Sequence, residues 1–306
     1  MHRFWNAYTQ PLIETLQPRR LLEVGAEFGW NTRHVLEYCR RTGGHLDVID
    51  TVPLKSLRDT IAPYEGVECT LHVRKSTDAI PDIAPVDFVL LDGDHNWRTV
   101  HTELNLIYGK AERGQVAPPL IIAHDCAWPY ARRDMYYSPD DWREVERHPY
   151  AYRAIHPGVS ELVDRGLNAQ FANALVEGGP ENGVLTAIED FAASRDNVSL
   201  RVLPFFNGLG ILIPDARRTP QLDALLNQFF SADMMTEACK ALEEDGMKVR
   251  VDLLEHRRLL TQRTEALVRA RRMLEERAAK IAELEARLAS APQPAKARKL
   301  RWGSDH

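Results

Sequence analysis

The sequence predicts a doubly wound α/β domain, built on a mostly parallel seven-stranded sheet, followed by one long helix. Three observations carry this. An apolar run over residues 21–24 breaks into Gly25 and Gly29 and then into a helical pattern. Strand-like and helix-like segments alternate five times up to residue 125, and Glu23, Asp50, Asp92 and the pair His124-Asp125 all fall at strand ends. From residue 253 onward, Leu253, Leu260, Leu267, Leu274, Ile281 and Leu288 recur every seven residues.

Residues 21–24 read as a buried strand. Gly25 and Gly29 permit a tight turn and a close backbone approach to a ligand, and Asn31 or Thr32 is placed to cap the helix that follows. Strand, glycine turn and helix N-terminus make a nucleotide-sized cradle. Ala26-Glu27-Phe28 supplies no middle glycine, so the dinucleotide fingerprint is absent, and no Gly-Lys-Ser/Thr follows to make a phosphate-binding P-loop. An acid at Glu23, facing a helix N-terminus, suits a ligand with a cationic amine. A second strand over 45–50 ends in Asp50, about 20 residues past the turn, where a ribose diol is held in such folds.

Upstream of the turn, residues 4–19 read as an amphipathic lead-in helix. Downstream, a helix over 31–41 closes at Gly43-Gly44, a short helix spans 54–61, and residues 67–73 alternate as a third strand leading into Ser76 and Thr77. Residues 86–91 are apolar enough for a strand buried on both faces; Asp92, Asp94 and His95 follow, then a helix over 97–110. Residues 119–123 form the fifth strand before His124-Asp125. In open parallel sheets ligands sit beyond the carboxyl ends of the strands, and chance would not place acids repeatedly at that one edge.

Residues 126–182 read as an irregular, aromatic and charged insert over the domain, a substrate lid. Within it Trp128, Tyr130, Tyr136 and Tyr137 are candidates to line an acceptor pocket, Arg132 and Arg133 to hold an anionic group, and His156 is undecided. A helix over 182–193 and a hairpin of strands 198–203 and 209–213 around Asn207-Gly208 complete the first domain, residues 1–230. Residues 231–290 form a helix of moderate coiled-coil character. With the leucines at heptad position a, the d positions are His256, Arg263, Ala270, Arg277 and Leu284, and with the leucines at d, the a positions are Arg257, Thr264, Arg271, Ala278 and Glu285; either way the seam is half polar. Homo-oligomerisation through this helix is expected. Residues 291–306 form a basic, disordered tail.

Glu23, Gly25, Gly29 and Asp50, followed by five strands and a terminal hairpin, resemble the class I S-adenosylmethionine-dependent methyltransferases, whose sheet is Rossmann-like. The resemblance covers about residues 15–215. It implies that the turn with Glu23, Gly25, Ala26 and Gly29 holds the methionine part of S-adenosylmethionine, that Asp50 binds the ribose hydroxyls, and that Ser76 and Thr77 contact the adenine, with Asp92 also at the cofactor. The acids after strands four and five are similar to a branch containing the macrocin O-methyltransferases and cephalosporin-hydroxylase-like proteins, in which such acids hold Mg2+ beside substrate hydroxyls. Here the pair is His124-Asp125 rather than two acids. Asp92, His124 and Asp125 are thus the candidate ligands for Mg2+ or another divalent cation. His95 and His124 are the candidate general bases, with Asp92 beside them.

Composition fits this reading. A 306-residue chain with 44% hydrophobic and 27% charged residues is an ordinary globular protein. A net charge of -5 gives no electrostatic case for nucleic acid. No apolar run reaches the roughly 20 residues of a membrane span, and the first residues lack a signal-peptide core. Cys39, Cys69, Cys126 and Cys239 form no C-x-x-C pair and read as reduced thiols in a cytoplasmic protein. The expected activity is O-methylation of a small-molecule hydroxyl, on a sugar or secondary metabolite. Two rivals are a nicotinamide-dependent oxidoreductase, disfavoured by the missing glycine and the terminal hairpin, and a non-catalytic oligomeric scaffold.

Overall fold

The computed structural model describes residues 1–290; the expected tail lies outside the described residues. The chain divides into two compact units at Leu242 and Glu243. The first unit holds a seven-stranded sheet. Strands β1 (Arg20–Val24), β2 (His45–Ile49), β3 (Cys69–His72), β4 (Phe88–Leu91) and β5 (Leu120–His124) run parallel. The hairpin of β11 (Val198–Leu203) and β12 (Leu209–Pro214) closes the sheet antiparallel, with β12 on β5. The order β3-β2-β1-β4-β5-β12-β11 is that of the class I methyltransferases. The central strands are apolar at nearly every position because helices cover both faces. Leu21, Leu46, Val48, Phe88, Leu90, Leu120 and Ile122 point into one core, and Leu22, Val24, Val89, Leu91 and Ile121 point into the other.

The first core is closed by α1 (Gln10–Leu16), α2 (Trp30–Thr42) and α7 (Pro220–Phe229), through residues such as Leu12, Leu36 and Leu226. The second is closed by α5 (Trp97–Arg113) and α6 (Val184–Ala193), through Leu104, Ile107 and Phe191. Short helices α3 (Lys55–Ile61) and α4 (Ser76–Ala79) follow β2 and β3, so Ser76 and Thr77 start a helical turn rather than lying in an open loop. The lead-in is not one helix: a 3-10 turn at His2–Phe4 and a π-helical stretch at Trp5–Thr9 precede α1. The α7 helix, absent from the sequence reading, starts where the Thr219 hydroxyl accepts the Leu222 N–H at 3.1 Å and Pro220 opens the first turn.

The insert over 126–182 is not irregular. It folds into a three-stranded sheet of β6 (Met135–Tyr136), β10 (Ala172–Ala174) and β7 (Tyr150–Ala151), plus a pair, β8 (Ala154–His156) and β9 (Val159–Val163). Its own core gathers Tyr130, Met135, Ile155 and Leu162. Strands of two to five residues are too short to display a period-two pattern, which hid them. Buried Asp134 ties the insert to the starts of α5 and α6: it accepts the N–H of Trp97 and of Gly183, each at 2.7 Å, and the hydroxyl of Tyr136, within the insert, at 2.8 Å.

Helix α8 (Ala232–Ser290) begins in the first unit, where Ala238 is buried, and makes up all that is described of the second. Residues 243–290 are exposed throughout except at the half-buried Asp245. No described helix is long and apolar enough to cross a membrane. Cys39, Cys69 and Cys126 are buried and Cys239 is exposed, all as free thiols.

Candidate active site

A cavity of about 1050 Å³ opens at the carboxyl ends of the parallel strands. Glu23, Gly25, Ala26, Asp50, Ser76, Thr77, Asp92 and His95 all line it; Gly29, His124 and Asp125 do not. The turn after β1 is shaped by backbone requirements. Gly25 has φ +79°, and a Cβ there would lie 2.2 Å from the Asp92 carbonyl oxygen, so only glycine lets β1 and β4 approach this closely. Gly29, φ +77°, is itself the N-cap of α2.

Asn31 and Thr32 therefore do not cap the helix. Both turn back to Glu23: the Asn31 amide donates to Oε1 at 3.0 Å and the Thr32 hydroxyl to Oε2 at 2.6 Å. Glu23 is buried, and burial pushes its pKa up to about 7 against these two hydrogen bonds. It thus props the cradle from beneath. Asp50 props it from the side, accepting the Ala26 and Glu27 N–H groups on Oδ2, both at 3.2 Å, and the Val52 N–H on Oδ1 at 2.9 Å.

Beyond the cradle, Asp92, His124 and Asp125 present ligand atoms that all lie within 4.8 Å of one another. His124 Nδ1 is 3.1 Å from Asp92 Oδ1 and 3.1 Å from Asp125 Oδ2, while its Nε2 donates to the Phe206 carbonyl at 3.0 Å. Burial disfavours the imidazolium, but the Asp92 charge and hydrogen bonds to both acids outweigh it and raise His124 to about 10. Burial pushes Asp92 and Asp125 upward, but His124 and the Met1 ammonium, 3.0 Å from Asp92 Oδ2, pull Asp92 below the usual carboxylate range, and His95 and His124 do the same to Asp125. The residues fit a divalent cation. With Nε2–H committed to a carbonyl, Nδ1 would be the nitrogen to ligate a cation beside two carboxylate oxygens, giving up the proton it shares with them.

His95 lies 2.7 Å from Asp125 Oδ2 through Nε2. An ionised carboxylate only accepts, so Nε2 carries the proton, and Nδ1 is buried with no partner. Burial opposes protonation of the ring, yet Asp125 raises its pKa. The rings of Tyr130 and Tyr137 flank it, with centroids 5.3 and 5.7 Å away. Asp94 accepts the His95 N–H at 2.9 Å and the Thr99 hydroxyl at 2.8 Å, and the cap of α5 is Asn96 instead.

Several insert residues turn out differently from expectation. Arg132 forms a two-pronged pair with Glu189 at 2.5 and 2.9 Å, and buried Arg133 donates to the Ala174 and Ser160 carbonyls, so neither is available for an anionic acceptor. Tyr130 and Tyr136 are buried, their hydroxyls bonded to Asn173 and Asp134, and half-buried Trp128 packs on the insert core. Tyr137 does line the cavity, joined by Phe171 and Trp142, which sequence reasoning missed. His156 is exposed on β8, bonded to the Pro157 carbonyl.

Glu103 was also missed. It lines the cavity, is buried on α5 with neither carboxylate oxygen in a hydrogen bond of good geometry, and burial pushes its pKa up to about 8. The signal was present: Val100, Glu103, Leu104 and Ile107 make one i, i+3, i+4, i+7 stripe, so an acid there faces inward.

Residues 22–126 match a family described as a methyltransferase domain. No curated protein matches the chain. Among solved structures, a methyltransferase of Podospora anserina, PaMTH1, seen with S-adenosylhomocysteine, is similar at 15% identity and TM-score 0.42, over 66% of this chain and 74% of that one. A putative caffeoyl-CoA O-methyltransferase of Staphylococcus aureus gives 10% and 0.41, over 67% and 80%. The O-methyltransferase TomG of Streptomyces achromogenes, involved in tomaymycin synthesis and seen with S-adenosylmethionine, gives 15% and 0.40, over 67% and 79%. The sheet order is that of the class I methyltransferase fold, and residues 22–126 within it match a methyltransferase domain.

Proposed function

We propose that this enzyme methylates a hydroxyl of a small molecule, a sugar or other secondary metabolite, with His95 as the general base and a divalent cation held by Asp92, His124 and Asp125. The observation that carries the reading is that one cavity joins the glycine cradle and Asp50 to His95, whose Nδ1 is buried without a partner. The donor set, an acid after β4 and a His-Asp pair after β5, favours the macrocin O-methyltransferase and cephalosporin-hydroxylase-like branch.

When bound, S-adenosylmethionine supplies a methyl group on a positively charged sulfur, and a divalent cation supplies a Lewis acid that makes a nearby hydroxyl more acidic. The chain does the rest. The Gly25 turn offers backbone close to the methionine part, and Asp50, already fixed by three backbone N–H groups, offers its remaining lone pairs to the ribose. Ser76 and Thr77 stand at the adenine end. Tyr137 and Phe171, edge to face at 5.6 Å, wall the acceptor side and limit water. Asp125 holds His95 Nε2–H, so Nδ1 faces the task of taking the hydroxyl proton as methyl transfer proceeds. Alignment of nucleophile and methyl group is the larger part of the work. The exposed leucine repeat of α8 supports self-association of the chain through that helix.

Calorimetric titration with S-adenosylhomocysteine and with NADH, each with and without Mg2+, tests the reading. Saturable binding of S-adenosylhomocysteine alone is expected, with Mg2+ binding lost in Asp125→Ala. Binding of NADH alone would overturn it.

A further inference from the structure

Along α8, Leu253, Leu260, Leu267, Leu274, Ile281 and Leu288 are each more than half exposed. A stripe this regular on a helix this long, with no covering element among the described residues, marks a partner surface. The charges beside it fall in blocks. Residues 243–255 carry five acids (Glu243, Glu244, Asp245, Asp252, Glu255) against Lys248 and Arg250. Residues 257–272 carry six arginines (257, 258, 263, 269, 271, 272) against Glu265.

We infer that the partner is a second copy of this chain, paired antiparallel over residues 243–273 and centred near Leu259; this rests on the self-association read above. A parallel, in-register pair sets the acidic block on the acidic block and the arginines on the arginines. It also stacks Arg263 and Arg277 on their own copies at the d layers, where like charges repel. Antiparallel pairing exchanges both conflicts for complements and leaves one like-charge contact, Arg257 beside its own copy near the centre. The acidic block then lies along the basic block of the second copy, with Glu243 across from Arg271. The a leucines meet d residues rather than each other: Leu267 meets Val249, Leu260 meets His256, and Leu253 meets Arg263, whose aliphatic stem covers it while the guanidinium reaches water. Leu259, half exposed beside the seam, meets its own copy at the centre.

The test uses the full chain with exposed Cys239 replaced, Cys239→Ser. Light scattering first reports whether the chain self-associates; a monomer at all concentrations overturns the self-association and this inference with it. Leu267→Cys and Val249→Cys are then oxidised alone and after co-expression. A disulfide-linked dimer only in the co-expressed pair is expected. Linkage of Leu267→Cys with itself shows a parallel helix pair, and a dimer that links in neither way shows that another surface pairs; each overturns the antiparallel inference while leaving self-association standing. The unaltered sequence gives a second readout. Antiparallel blocks attract, so raising salt from about 0.05 to about 0.5 M weakens the dimer several-fold, whereas a parallel pair tightens.

Discussion

In the proposed reaction, Asp50 and His95 divide the work of the site at the level of single side chains. Asp50 fixes the turn through Ala26, Glu27 and Val52, and its proposed second role is to offer the ribose its acceptor oxygens. Asp50→Ala removes both effects and is expected to weaken S-adenosylhomocysteine by about 10–100-fold in calorimetry, the range for losing hydrogen bonds to a charged group. His95→Gln keeps the size and polarity of the side chain but removes the base. Turnover should fall by about 10²–10⁴-fold in a single-turnover assay while cofactor affinity holds. Glu103 gives a stability prediction instead. Its pKa stands at about 8 rather than the ordinary 4.5 because it is buried. Between those values the folded chain keeps a proton that the unfolded chain releases, so stability falls as pH rises through this window. Glu103→Gln should remove a decline on the order of a few kcal/mol between about pH 5 and about pH 8.5, measured by urea unfolding. Glu23, raised to about 7, contributes in the same direction and remains in the variant. The sequence showed the strand-end residues because position along a parallel strand is encoded in its apolar run. It hid Glu103, whose polarity masked its place in the buried stripe of α5.

Legibility changes at the level of elements. The five parallel strands were readable because burial on both faces writes a continuous apolar run. The hairpin was readable because Asn207 and Gly208, both at positive φ, are the residues such a turn selects. The insert was not, because its order comes from contacts between distant residues. Asp134 takes hydrogen bonds from Trp97, 37 residues back, and Gly183, 49 residues on, and nothing near it in sequence announces either. These bonds tie the first turn of α5, just after His95, to the start of α6. The Met135 N–H adds a link to the His95 carbonyl at 3.0 Å. The insert therefore also holds the segment that carries His95, the proposed base. Asp134→Ala takes the acceptor from the Trp97 and Gly183 N–H groups and from the buried Tyr136 hydroxyl, an expected loss of about 2–4 kcal/mol in urea unfolding. Turnover should fall with it more than cofactor affinity does, because the cradle lies on other strands.

At the scale of the whole molecule, the residues proposed for catalysis and cofactor binding all belong to the unit Met1–Leu242, and the leucine stripe belongs to the helix beyond it. The two jobs have separate physical origins. The cradle depends on strand ends and a glycine turn at the edge of a sheet covered by helices, whereas the proposed self-association depends on an apolar seam with charge blocks beside it. Separate origins predict separable losses. A chain ending at Leu242 retains the buried contact of Ala238 with the core and every residue lining the cavity. It should unfold cooperatively, run as a monomer in light scattering and bind S-adenosylhomocysteine with the affinity of the full chain. If the shortened chain folds but loses the cofactor, the helix contributes to the site itself, and the assignment of the cradle to residues 23–103 alone is wrong. If it stays dimeric, the pairing surface lies within the first unit, and the sevenfold repeat has another partner.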